Sequence, residues 1–378
     1  MAKVFSVFTY REATVDGVVP EYLDLPATPY EQMDMLDKLH LNESDAPKFM
    51  LGDLYSFDFL SKHLDGKYDL PELNALAEKL SELEPEQATS LAGLVQMDEE
   101  QRDSPLGLPR LIDLAYSTEC CHVVGEALND GQLGRFCAEN GFCLGLDNLP
   151  DEVFNLLDFE RIGREHRQSE GGILVERTAG HPGGYVERHS DLVQAYRTMN
   201  FTPKKPAYTI LAETSSGDQM EFPFPANEPM GTEPVRCVDC AVPSLIGLTG
   251  GMESMDLLAR RLAGMEPQEL TAYKALLEAV DCKDLSDAER LVDSLEEYIF
   301  TPSLNSPEEV AEEELGVILC EESVPQLIPY VDLRGYGQAL MEQRGGILTP
   351  YGLLEREDGQ PILSMNEQPE QGGMEMRF

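Results

Sequence analysis

The sequence predicts a helix-rich α+β protein with two similar lobes, elongated and each built of small α/β subdomains. Residues 4–10 alternate in the manner of a strand. Leucines recur at helical spacing over residues 73–83, behind a helix start at Asp69 and Glu72. Glycine pairs bound two short apolar segments within residues 171–187, which is typical of a hairpin. Strands and helices in this mixture indicate the α+β class.

Further local patterns complete the prediction of elements. Residues 30–41 and part of 47–63 have helical character. Ser286 with Glu289 predicts a capping box before a helix. Ser306 followed by Pro307 predicts another helix start, because proline is favoured in the first helical turn.

The second half of the chain repeats the first. Residues 76–85 match 258–267 at an offset of 182, and residues 158–174 match 332–348 at an offset of 174. Matches in the same order with slowly drifting offsets indicate a tandem duplication. We therefore expect a first unit over residues 1–195, a second, diverged unit over 205–356, and a flexible acidic tail over 357–378.

The charge is the unusual feature of the composition. Seventy Asp and Glu stand against 28 Lys and Arg, which gives a net charge of −42. Residues 1–189 hold 36 acids and 15 bases, and residues 190–378 hold 34 and 13, so each half carries −21. With 42% hydrophobic residues the chain has enough apolar material to fold. Such a charge repels nucleic acid and anionic membranes and attracts basic proteins.

Signatures of enzymes and metal sites are missing from the sequence. It has no P-loop, no GxSxG and no HExxH motif, and no run of 18 apolar residues. Cys237 and Cys240 form a lone CxxC, whereas a structural zinc site needs two further ligands. We expect reduced thiols, no metal, no cofactor, no enzymatic activity and no membrane span. Eight cysteines in a chain without a leader favour the bacterial cytoplasm.

Several segments resemble a known family. Residues 157–165, which read LDFERIGRE, are similar to the C-terminal signature of ArdA-type antirestriction proteins. Residues 68–80 resemble the middle helix of that family, and residues 17–26 resemble its N-terminal strand and turn. The resemblance covers most of residues 1–189 and, more faintly, 240–356. The chain departs from the family by holding two units in tandem.

The resemblance implies a non-enzymatic DNA mimic whose carboxylates imitate phosphates in the DNA channel of a type I restriction–modification enzyme. B-DNA carries one charge per ~1.7 Å of axis, so 42 charges correspond to about 70 Å, or roughly 20 base pairs. The expected partner is a basic DNA-binding protein rather than nucleic acid or a membrane. Because two units are joined, we expect a monomeric pseudo-dimer, with a homodimer as the other possibility.

Acids on predicted helix faces are the candidate partner-binding residues. They are Glu78, Glu82, Glu86, Asp98, Glu99, Glu100, Glu266, Glu269, Asp287, Asp293, Glu296 and Glu297. The sequence leaves two alternatives to DNA mimicry as the origin of this charge. The protein could be an acidic interaction protein that sequesters another basic nucleic-acid-binding partner, or its charge could reflect a halophilic origin. An acid-rich enzyme ranks third.

Overall fold

The computed structural model describes residues 2–12, 18–41, 47–102, 104–142, 150–202, 205–225, 231–280, 282, 284–319 and 324–362. Most of the predicted tail, from residue 363 onward, lies outside the described residues. The chain divides by contacts into two compact units. Unit 1 comprises residues 1–9, 22–27 and 47–203, and unit 2 comprises 10–21, 28–46 and 204–378. Helices and small sheets alternate along the chain, so the predicted helix-rich α+β class is confirmed.

The first part of the chain forms a four-stranded sheet followed by three helices. Its elements are β1 (Phe5–Glu12), β2 (Val18–Leu25), α1 (Pro29–Leu39), β3 (Lys48–Leu54), β4 (Lys67–Asp69), α2 (Leu70–Ser81), α3 (Pro85–Glu99) and α4 (Leu108–Ala115). The strand order is β2-β1-β3-β4. The partial helix predicted over 47–63 is the 3₁₀ helix Asp58–His63, and β3 occupies the first part of that range.

A three-stranded sheet closes unit 1. Its segment contains β5 (Cys121–Val124), α5 (Asp130–Glu139), α6 (Asp151–Phe154), α7 (Phe159–Glu170), β6 (Ile173–Val175) and β7 (Gly184–Arg188). The strand order is β5-β7-β6, and both neighbouring pairs are antiparallel. The predicted glycine-bounded hairpin is therefore confirmed as the β6–β7 pair.

With α1 set aside, residues 205–362 run through the same series of described helices and strands as the first half. They are β8 (Ile210–Thr214), β9 (Gln219–Phe222), β10 (Pro234–Cys240), β11 (Thr249–Gly251), α8 (Met252–Gly264), α9 (Pro267–Val280), α10 (Leu285–Asp293), β12 (Tyr298–Thr301), α11 (Pro307–Ile318), α12 (Val324–Leu327), α13 (Leu333–Arg344), β13 (Ile347–Thr349) and β14 (Gly352–Arg356). The sheets have the orders β11-β10-β8-β9 and β12-β14-β13. The three-stranded order matches β5-β7-β6 of unit 1. The four-stranded order, read from its other edge as β9-β8-β10-β11, likewise matches β2-β1-β3-β4, with the second, first, third and fourth strands side by side.

Equivalent residues play equivalent parts in α7 and α13. Asp158 caps α7 by accepting from the Arg161 amide, and Asp332 caps α13 by accepting from the Gly335 amide. Both helices end at a left-handed glycine, Gly171 with φ 68° and Gly345 with φ 66°. Glycine is favoured there because it carries no Cβ.

Close helix packing explains another repeated glycine. A Cβ on Gly163 would lie 1.9 Å from the Asp130 carbonyl oxygen, and one on Gly337 would lie 1.7 Å from the Pro307 carbonyl oxygen. Asp130 begins α5 and Pro307 begins α11, so both halves pack a helix against the first turn of its neighbour at a distance that only glycine allows.

Helix α1 lies in the first half of the sequence but packs within unit 2. Asp34, which is 5% exposed, faces Lys274 of α9, which is 2% exposed. The Lys274 ammonium donates to Asp34 at 2.9 Å and to Asp37 at 2.6 Å, and the Tyr351 hydroxyl donates to Asp34 at 2.9 Å. The division by contacts therefore differs from the division by sequence repeats.

Candidate acidic interaction surface

In unit 1, exposed acids gather where α2 ends and α3 begins. Glu82 and Glu86 are exposed, and Glu78 is half-buried with its carboxylate accepting from the Asn74 amide. Pro85 starts α3, so the intervening residues form a polar connection. Glu84 is also exposed there and caps α3. Glu84 is not among the predicted binding acids, although an acid directly before a helix-starting proline is a recognisable signal.

The C-terminal end of α3 shows why three consecutive acids do not share one environment. A helix turns by about 100° per residue, so Asp98, Glu99 and Glu100 face different directions. The prediction that Asp98 is an exposed binding acid is wrong, because Asp98 is buried against α4. Its carboxylate accepts two hydrogen bonds from Arg110, at 2.7 and 3.0 Å. Burial tends to raise the pKa of Asp98, but Arg110 outweighs it and holds that pKa below its ordinary value.

Glu99 is also engaged inside unit 1. It is half-buried, and its carboxylate contacts the Lys62 ammonium at 2.6 Å and the ring Nε2 of His63. The other ring nitrogen of His63 accepts from the Leu106 amide, so Nε2 carries the proton that is donated to Glu99. Of the three acids only Glu100 is fully exposed. Glu86 and Glu100 therefore present charge near opposite ends of α3. They are 14 residues apart, which corresponds to about 21 Å along the helix axis.

In unit 2, the predicted acids lie around the ends of α9 and α10. Glu266 and Glu269 are exposed at the start of α9, and the Glu269 carboxylate accepts from the Glu266 amide at 2.9 Å. Acids at this end of a helix oppose its dipole favourably. Glu296 and Glu297 are exposed in the 3₁₀ helix Leu295–Glu297 that precedes β12.

Two of the predicted acids of unit 2 are partly neutralised. Asp293 forms an ion pair with Arg261 at 2.6 Å, although its own side chain is largely exposed. Asp287 is half-buried and pairs with Arg290. The residue that caps α10 is Asp284, not Ser286, so the predicted capping box at Ser286 is wrong. Because each is paired with an arginine, Asp293 and Asp287 contribute less negative charge to the surface than two unpaired carboxylates would.

Helix α11 adds an acidic stretch that is not among the predicted binding residues. Its 12 residues read PEEVAEEELGVI, with five glutamates and no base. Ser306 caps the helix as predicted, accepting from the Glu309 amide. Glu314 pairs with Arg344 of α13, whereas Glu313 is exposed. Burial and Glu309 raise the pKa of Glu312, as expected where like charges crowd one helix.

Helix α7 of unit 1 is a contrasting surface, because two of its three acids pair with arginines. Arg161 pairs with Glu165 at 2.8 Å and Arg164 with Glu160 at 2.7 Å. Arg167 reaches Asp130 of α5 at 2.8 Å. These ion pairs neutralise part of the negative charge on α7 and α5.

Several polar side chains of unit 2 are buried inside the protein rather than exposed on its acidic surface. Asp239 is buried, and its carboxylate accepts from the hydroxyls of Thr28 and Tyr208. Burial raises the pKa of Asp239. Cys237 and Cys240 are each 1% exposed in the same hydrophobic core. Among the residues that the structure describes, no three His, Cys, Asp or Glu side chains converge in a way that could hold a metal ion.

Comparison with known proteins adds no assignment. No protein-family model matches the chain, and no curated protein matches it. In the described part of the chain, no helix has the length and apolar character needed to cross a membrane.

Proposed function

We propose that this protein is a non-enzymatic antirestriction protein of the bacterial cytoplasm that acts as a DNA mimic. It occupies the DNA-binding channel of a type I restriction–modification enzyme and prevents duplex DNA from entering. The observation that carries the proposal is the net charge of −42, divided equally between two halves that each hold a four-stranded and a three-stranded sheet. The resemblance of residues 157–165 to ArdA-type proteins supports the choice of partner.

The exposed acids support mimicry because their charge remains available to a partner. Glu86, Glu100, Glu266, Glu296 and Glu297 form no ion pair with any residue that the structure describes. A DNA channel binds duplex through many lysines and arginines that replace condensed counterions. A folded protein with a similar number of fixed carboxylates can compete for the same cations without undergoing any chemical step.

Competition with DNA tests the proposal directly. A labelled duplex is bound to a type I methyltransferase core, and the protein is titrated at ionic strengths from about 50 to about 300 mM, a range over which phosphate contacts weaken strongly. We expect displacement of the duplex with an affinity that falls steeply as salt rises, because many charge pairs are screened together. Mimicry would be refuted if the affinity measured by displacement did not change with salt concentration, or if this protein itself bound DNA tightly. Binding only to another basic protein would support the alternative of a general acidic interaction protein.

Two matched triple variants locate the effect. The first variant removes three exposed acids around α3 by combining Glu82→Gln, Glu86→Gln and Glu100→Gln. The control replaces Glu139, Glu160 and Glu165 by Gln, and each of these acids lies within 4 Å of an arginine. Both variants change the net charge equally. We expect the first to weaken displacement about tenfold and the control to weaken it less, and equal losses would count against a role for the α3 acids.

A further inference from the structure

Unit 2 contains an open cleft of about 740 Å³. It lies where the C-terminal end of α1, the first turn of α9, the 3₁₀ helix Leu295–Glu297 and β12 come together. Met265, Tyr298 and Phe300 contribute apolar and aromatic walls. Its volume is in the range of sites that hold a small molecule or a long side chain.

The charged groups of the cleft are carboxylates. Asp37, Glu269 and Glu296 line it, and no lysine or arginine occurs among the described residues of its lining. The Asp37 charge is offset by Lys274, whose ammonium lies 2.6 Å away. Glu269 and Glu296 are exposed and form no ion pair with a described residue. The cleft therefore joins an apolar interior with uncompensated negative charge.

A guanidinium group matches this combination better than other side-chain groups. It is planar, stacks on aromatic rings and donates two parallel hydrogen bonds to a carboxylate. An ammonium group lacks the planar stacking surface, and a purely apolar side chain leaves the carboxylates unused. The same unit already shows the contact, since the Arg356 guanidinium lies 5.8 Å from the centre of the Tyr298 ring.

We propose that this cleft is a pocket for an arginine side chain of the basic partner. The inference rests on the proposed function, because it assigns a specific anchor to an interaction that is otherwise spread over many carboxylates. Buried arginines are frequent among the few residues that dominate an interface. Glu296 binds the guanidinium at the mouth, and Phe300 packs against its flat face.

Glu296 and Glu297 provide a matched pair for the test. Both are exposed glutamates of the same 3₁₀ helix, but Glu297 is not among the described residues that line the cleft. Glu296→Gln and Glu297→Gln remove the same charge from adjacent positions. A purely long-range electrostatic effect changes binding equally in both variants, whereas a pocket distinguishes them.

The experiment titrates the full chain with N-acetyl-arginine amide while the ¹³C-methyl signal of Met265 is followed by NMR. A Met265→Leu variant assigns the signal. We expect a saturable shift with half-saturation of about 1 mM, and at least about tenfold weaker binding of the neutral citrulline analogue. Glu296→Gln should weaken binding about fivefold or more, and Glu297→Gln less than about twofold. Thermal unfolding of both variants checks that the fold is kept.

The results separate this inference from the proposed function. Absence of a saturable Met265 shift, equal binding of citrulline, or equal losses in the two variants would overturn the pocket, even if the protein displaces DNA. Saturable, charge-dependent binding of the probe supports the pocket even if displacement from the methyltransferase core fails. In the displacement assay itself, Glu296→Gln should weaken competition at least about fivefold relative to wild type and Glu297→Gln less than about twofold.

Discussion

Replacing Lys274 by Met leaves the carboxylates of Asp34 and Asp37 without the ammonium group that both contact inside unit 2. Lys274 is 2% exposed and Asp34 is 5% exposed, so water cannot replace the lost partner without opening the packing around α1. Removing one member of a buried ion pair costs about 3–5 kcal/mol. For a unit of roughly 200 residues this corresponds to a decrease in Tm of about 6–20 °C.

The effect of pH follows from the direction of each pKa shift. Burial tends to raise the pKa of Asp34, but Lys274 and Lys38 outweigh it, so its folded pKa lies below the ordinary value. The stability that Asp34 contributes is therefore present above about pH 4 and lost as pH falls. Burial tends to lower the pKa of Lys274, but Asp34 and Asp37 raise it overall, so its contribution is lost only as pH rises beyond about 10.

Urea unfolding followed by circular dichroism, at about pH 7.5 and about pH 4.5, measures these contributions. In Lys274→Met we expect the loss of stability relative to wild type to shrink at the lower pH, because the buried Asp34 carboxyl takes up a proton more readily once the ammonium is gone. Lys38→Met is the control, since Lys38 contacts the same carboxylate at 2.8 Å but is 28% exposed. It should cost about 1 kcal/mol or less. Equal losses in the two variants, or a Lys274→Met loss that is the same at both pH values, would refute the reasoning.

Three further predictions concern packing and surface charge. Asp98→Asn should cost about 2 kcal/mol in urea unfolding, because it breaks the paired hydrogen bonds with Arg110, while partner binding by the folded fraction should hardly change. Gly337→Ala should lower the free energy of unfolding by more than about 3 kcal/mol, since its methyl group would overlap the Pro307 carbonyl. Gly316→Ala, in open space on α11, should raise the free energy of unfolding by about 0.5–1 kcal/mol. Similar values for both variants would contradict the packing argument. Glu82→Gln alone should weaken partner binding by about 1 kcal/mol or less in a titration, and complete loss of binding in the folded variant would point to a specific site.

Local patterns predicted the helices well where one face is apolar. Leu73, Leu76 and Leu80 recur at helical spacing, and all three are buried in α2. The helix start predicted at Ser306 is likewise a real cap, because its side chain accepts from an amide only three residues away. Such features depend on residues that are close in sequence, so they can be predicted from a single sequence.

Features that depend on distant partners were not predictable in the same way. Asp69 precedes α2 as a cap should, but its carboxylate binds the Lys48 ammonium across the β3–β4 pair instead. Asp98 has the sequence environment of a surface acid and is buried only because Arg110 lies opposite it. The single signal for the docking of α1 was Lys274 within the otherwise apolar run 273–277, which implied a buried cation but not its partners.

The placement of α1 also sets the order in which the chain can complete its fold. Asp34 is separated by 240 residues from Lys274 and by 317 residues from Tyr351. At about 5–20 residues per second, a ribosome needs roughly 16–60 s to synthesise the interval to Tyr351. During that time Met35 and Leu39, which are buried in the finished protein, lack the surface that covers them. Helix α1 thus gains its contacts in unit 2 long after it has been synthesised, and we expect the nascent chain to need protection from aggregation until β13 and β14 are made.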